Sequence, residues 1–157
     1  MTQPPCGIYR TTLQIGPIEA GKLVYFHNHG EPGPGIYSPQ SWNNNRTVFS
    51  KHGTTLDEPG LADTLEPLAA EGLYRVSEEF TCCSKNCRSF SPGMLVQLGY
   101  NGDAKPLLFV PHWHADGSLH MPERGFALDD GNVAKLELLQ VDRPKPKGPS
   151  NDDLVTH

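Results

Sequence analysis

The sequence predicts an all-β fold with short helical turns, made by internal duplication of a small SH3-like barrel or meander, the two copies packed together. Three observations predict it. The chain has 16 Gly and 15 Pro among 157 residues, a level that suits many turns and short strands better than long helices. Its apolar runs are short and stop at turn residues, as at Gly21–Phe26 and Gly93–Leu98. Most telling is a shift of 72 positions. It lays Leu23-Val24 on Leu95-Val96, Gly30 on Gly102, Pro34 on Pro106, Pro39 on Pro111, Gly53 on Gly125 and Leu56-Asp57 on Leu128-Asp129. Across positions 21–62 there are 10 identities in 42, where average usage would give roughly 2–3.

With seven extra residues in the later copy, Tyr9-Arg10 falls on Tyr74-Arg75. One deletion puts Leu65-Glu66 on Leu136-Glu137. Copy one therefore runs from Gly7 to Ala69, copy two from Ala70 to Val141, and a Pro-rich tail from Asp142 to His157. A unit of this size buries little apolar surface, so packing between copies or a bound metal would help each to fold.

Each element follows in order. Gly21–Phe26 and Gly93–Leu98 read as strands that begin after a turn. The returning strands are Gly35–Ser38 and Leu107–Val110, the second reached through Asn101-Gly102, a strong hairpin signal. A further hairpin turns at Asn44-Asn45 in copy one and at Asp116-Gly117 in copy two, pairs that both accept positive φ. Read as a two-residue turn, Asp116-Gly117 sets His114 opposite Leu119 and Trp113 opposite His120. His120 then lies away from His112 and His114 unless a bulge intervenes. The spacing Leu61, Leu65, Leu68, with Pro59 in the first turn, predicts a brief helix. In copy two, one helical turn followed by a strand at Leu136–Val141 fits equally.

The net charge is −5 and the body has no basic stripe, which argues against nucleic-acid binding. The basic run Arg143–Lys147 belongs to the tail. No apolar run approaches the ~18 residues of a membrane span. The opening residues have neither the basic nor the apolar region of a signal peptide, so a cytoplasmic location with reduced thiols is expected.

The copies diverge where chemistry is available. Copy two has an insertion with Cys82, Cys83 and Cys87, and has His112, His114 and His120 on its second hairpin. Thiolate and imidazole are the ligands zinc prefers. Alternation along a strand points His112 and His114 to one side. Cys82, Cys83, Cys87, His112 and His114 are thus the candidate Zn²⁺ ligands, although no pair of Cys-x-x-Cys elements is present. The plain alternative is three loop thiols and surface histidines. Gly21-x5-His27-x-His29 resembles the opening of a cupin metal motif, but the glutamate it requires is missing, so both histidines read as turn residues. His114-Ala-Asp116 resembles part of an iron triad, but the chain after it is too short for an oxygenase barrel.

Trp42, Trp113 and His120 are the candidate ligand-binding residues, for an aromatic groove of the kind that takes protein or peptide partners. No nucleophile elbow or phosphate loop is present. The functional expectation is a non-catalytic binding or adaptor module with a zinc site in copy two. The alternative is a small metal- or thiol-dependent enzyme using Cys87, His112 and His114.

Overall fold

The computed structural model describes residues 4–30, 33–58, 60–82 and 88–142. The first part of the chain forms β1 (Gly7–Arg10), β2 (Leu23–His27), β3 (Gly35–Tyr37), β4 (Pro39–Asn43), β5 (Arg46–Phe49), β6 (Thr54–Thr55) and β7 (Glu66–Pro67). The second forms β8 (Gly72–Val76), β9 (Phe80–Thr81), β10 (Ser89–Phe90), β11 (Leu95–Tyr100) and β12 (Pro106–Phe109). It continues with β13 (His112–Trp113), β14 (Leu119–His120), β15 (Phe126–Ala127) and β16 (Leu136–Leu138). Short 3₁₀ helices occupy Ala62–Thr64 and Asp130–Lys135.

Two five-stranded antiparallel sheets dominate. Their orders are β6-β3-β2-β1-β7 and β15-β12-β11-β8-β16. Register follows the sequence alignment pair by pair. Tyr25 lies opposite Tyr37 and Gln97 opposite Phe109; Ile36 lies opposite Thr54 and Leu108 opposite Phe126. Tyr9 lies opposite Val24 and Tyr74 opposite Val96; Arg10 lies opposite Glu66 and Arg75 opposite Glu137. Two glycines show why such positions match. A Cβ on Gly53 would lie 2.5 Å from the Ile36 carbonyl oxygen and 2.6 Å from the Tyr37 ring. One on Gly125 would lie 3.0 Å from both the Leu108 carbonyl oxygen and the Phe109 ring.

Among the described residues no sheet closes into a barrel, which corrects the SH3-like barrel expected from the sequence. Proline supplies the reason. Pro39 and Pro111 follow the third strand of their sheets and have no N–H to continue a ladder. The chain leaves the sheet there, and β4–β5 and β13–β14 stand apart as two-stranded hairpins. The expected helix at Leu61–Leu68 is also shorter than its spacing suggested. Leu65 is already extended and caps the 3₁₀ turn, because Glu66 and Pro67 pair with β1. In the second part the turn-then-strand form is the one adopted.

Two hydrophobic clusters follow the two sheets. Tyr9, Val24, Phe26, Ile36 and Leu65 fill the first. Val76, Phe90, Val96, Leu98, Leu108 and Leu128 fill the second. Leu23, from β2, belongs to the second cluster, with Ile8, Phe49 and Leu68 packed against it. The Leu23 N–H donates to the Gly102 carbonyl at 3.0 Å. Arg10 donates to the Ala104 carbonyl at 2.7 Å and pairs with Glu66 and Asp130. The first hairpin lies on the second sheet. Trp42 Nε1 donates to the Tyr100 carbonyl at 2.9 Å, and Thr47 donates its N–H and hydroxyl to the Glu71 carboxylate. Asn45 Nδ2 donates to Gln97 Oε1, while Gln97 Nε2 donates to the Asn44 carbonyl.

Candidate metal centre on the second hairpin

The two hairpins turn differently. Asn44 and Asn45 have φ of 52° and 66°, the two-residue type I′ turn expected for that pair. In the second hairpin the His114 N–H donates to the Ser118 carbonyl at 2.8 Å, and the Gly117 N–H donates to the His114 carbonyl at 3.0 Å. Gly117 has φ of 87°. This is a three-residue loop, Ala115-Asp116-Gly117, in which a type I turn is followed by a left-handed bulge residue. Asp116 fixes it: its Oδ1 accepts the Ser118 N–H at 2.9 Å and the Ser118 hydroxyl at 2.6 Å. The hydroxyl bond, then the backbone bond, holds the Asp116 carboxyl below its usual range. This turn contact is therefore present at neutral pH and is lost as acid protonates the carboxylate.

The extra loop residue changes the register. His112 lies opposite His120, and Trp113 opposite Leu119. The expected pairing of Trp113 with His120 is thus corrected, and the bulge that the sequence could not supply is present. The three rings face one another, with centroids 5.6 Å apart for His112–His114 and 4.8 Å for each pair with His120. One ligand atom from each lies within 4.8 Å of the others, and all three side chains are exposed.

The register also reassigns equivalences. β4 has an irregularity between Pro39 and Ser41 that takes up one residue. Beyond it Trp42 lies opposite Thr47, as Trp113 lies opposite Leu119. The two tryptophans therefore hold the same place in their hairpins. His112, His114 and His120 replace Ser41, Asn43 and Val48, none of which offers a strong ligand.

The remaining candidates separate. Cys82 is 2% exposed and sits in the second hydrophobic cluster. It belongs to neither group of three converging ligands found among the described residues. Cys83 and Cys87 lie outside the described residues. Trp42 and His120 share the wall of an open groove of about 1300 Å³, together with Asn45, Glu71, Gln97 and Glu123. Trp113 is not part of that wall. It is 73% exposed, and alternation along β13 sets it with Leu119 on the face opposite the histidines. The aromatics Tyr100 and Phe109 are core residues.

Sequence reasoning missed a second cluster, formed by Cys6, His27 and His29. Once Gly7 is known to lie opposite Phe26, the next antiparallel step sets Cys6 opposite His27.

No helix among the described residues is long and apolar enough to cross a membrane. Comparison with family models, with curated proteins and with solved structures finds no significant match, so geometry alone carries the functional reading.

Proposed function

We propose that the chain is a binding module, made by internal duplication of a five-stranded β-unit with a detached hairpin, whose second copy holds zinc through His112, His114 and His120. The copies run over residues 7–69 and 70–141, and residues 142–157 follow as a tail. The convergence of the three imidazoles, within 4.8 Å on one hairpin, carries this reading. Zinc takes four ligands, and three protein ligands leave one position for water or for a side chain of a protein or peptide partner. Two features favour such a partner. Trp113 and Leu119 form an exposed apolar pair on the other face of the same hairpin, and tryptophan is prominent among residues that dominate binding energy. His120 also stands in the wall of the groove with Trp42.

Calorimetric titration with Zn²⁺ tests the site. Replacing His112, His114 or His120 by Ala removes a ligand and is expected to weaken one binding event by more than the roughly 10–100-fold that loss of an outer-shell partner costs. The melting temperature of the metal-free chain should stay unchanged, since all three side chains are exposed. Affinity equal to the parent chain's in all three variants would overturn the reading.

A second reading, a small metal-dependent hydrolase, draws on His120 in the groove wall. Against it, the three histidines are open to solvent, whereas catalytic zinc works in a dry, shaped cavity. Ester hydrolysis that requires Zn²⁺ and disappears in the His120→Ala variant would favour the hydrolase.

A further inference from the structure

The first sheet has a face that the second sheet uses differently. In the second sheet, Glu71, Gly99 and Tyr100 receive the first hairpin. Glu71 binds Thr47, Tyr100 accepts from Trp42, and the Asn45 carbonyl oxygen lies 2.8 Å from where a Gly99 Cβ would be. The shared register carries Glu71 to Cys6, Gly99 to His27 and Tyr100 to Asn28, with His29 next along the chain. Two of the three socket positions in one sheet are therefore metal-ligand residues in the other. Cys6 and His27 are half-buried and His29 is exposed.

We propose that Cys6, His27 and His29 form a second metal site, for a zinc-class divalent ion bound through one thiolate and two imidazoles. The distances support it. Cys6 Sγ lies 3.6 Å from His27 Nδ1 and 3.8 Å from His29 Nδ1. A tetrahedron with metal–sulfur and metal–nitrogen bonds of zinc length has a sulfur–nitrogen edge of about 3.6 Å. The two rings lie with centroids 4.0 Å apart.

Asn28 completes the arrangement. Its backbone N–H donates to Cys6 Sγ at 3.3 Å. Its Oδ1 accepts the thiol proton at 3.2 Å and lies 2.6 Å from His29 Nδ1, while its Nδ2 is anchored on the Pro4 carbonyl. When the metal binds, the thiol proton passes to solvent and a sulfur–metal bond replaces the S–H bond, while the Asn28 N–H remains on the sulfur; His29 takes the Nε2–H tautomer, and its Nδ1 exchanges the Asn28 Oδ1 contact for the metal. No redox change is involved. Three protein ligands leave a fourth position for water or another ligand.

This site stands independently of the three-histidine site. Co²⁺ is the probe, because a thiolate ligand gives it a charge-transfer band that imidazoles alone do not. Titration of the full-length chain under reducing conditions should give that band with the visible absorption of tetrahedral cobalt, both bleached by Zn²⁺. Cys6→Ser should abolish the charge-transfer band, and His29→Ala should weaken Co²⁺ binding by more than the roughly 10–100-fold that loss of an outer-shell partner costs. His114→Ala, which removes the hairpin site, should leave the band intact. Circular dichroism of Cys6→Ser should match the parent and so exclude misfolding. An undiminished band in Cys6→Ser, or none in the parent chain at saturating Co²⁺, would overturn the proposal.

Discussion

Gly53 and Gly125 show how single positions hold the backbone path. Each lies against the aromatic ring and carbonyl of the neighbouring strand, where a methyl group has no room. Gly53→Ala should cost about 1–3 kcal/mol by overpacking, measured by urea denaturation. An unchanged midpoint would mean that the contact relaxes. These glycines were legible in the sequence because a steric requirement leaves one residue type to choose. Cys6 was not. A lone cysteine near the start of the chain carries no spacing signal, and its partners are 21 and 23 residues away. Only the pairing of β1 with β2 brings them together. Cys82 was misleading for the opposite reason. Composition marked it as a ligand, yet cysteine is also a small apolar residue, and Cys82 is placed in the core.

The hairpins carry the difference that matters at the scale of elements. Asn44-Asn45 and Asp116-Gly117 both tolerate positive φ, and an Asp-Gly pair fits either a two-residue type I′ turn or the end of a three-residue loop. The hydrogen bonds from Ser118 to Asp116 select the longer loop. That choice moves His120 from the Trp113 position to the His112 position, so the site was invisible while the turn length was open. Gly117→Val should therefore be informative. A β-branched residue at φ of 87° is strained by about 1–3 kcal/mol. The hairpin is exposed and peripheral, so global melting should change little while Zn²⁺ affinity falls. A large drop in melting temperature with affinity intact would contradict this.

Across the molecule, the order and register of the two sheets were the most legible feature. The matching of turn glycines, strand apolars and prolines maps one set of strand pairs onto the other. What the alignment could not supply was how the sheets meet, because a contact such as Leu23 with Gly102 joins two different sheets. Gln97, 7% exposed, bridges both parts through Asn45 and the Asn44 carbonyl. Gln97→Leu should cost about 1–3 kcal/mol by leaving these groups unpaired. Leu23 in the second core should also keep unfolding to one cooperative transition in the parent chain; two separated transitions by calorimetry would refute that. The functional claim is that zinc rests on the three histidines of the second hairpin. Long-range ¹H–¹⁵N NMR of the imidazoles during Zn²⁺ titration tests it most directly. The signals of His112, His114 and His120 should shift together and saturate at a common Zn²⁺ concentration; movement of one alone, or of none, would contradict it.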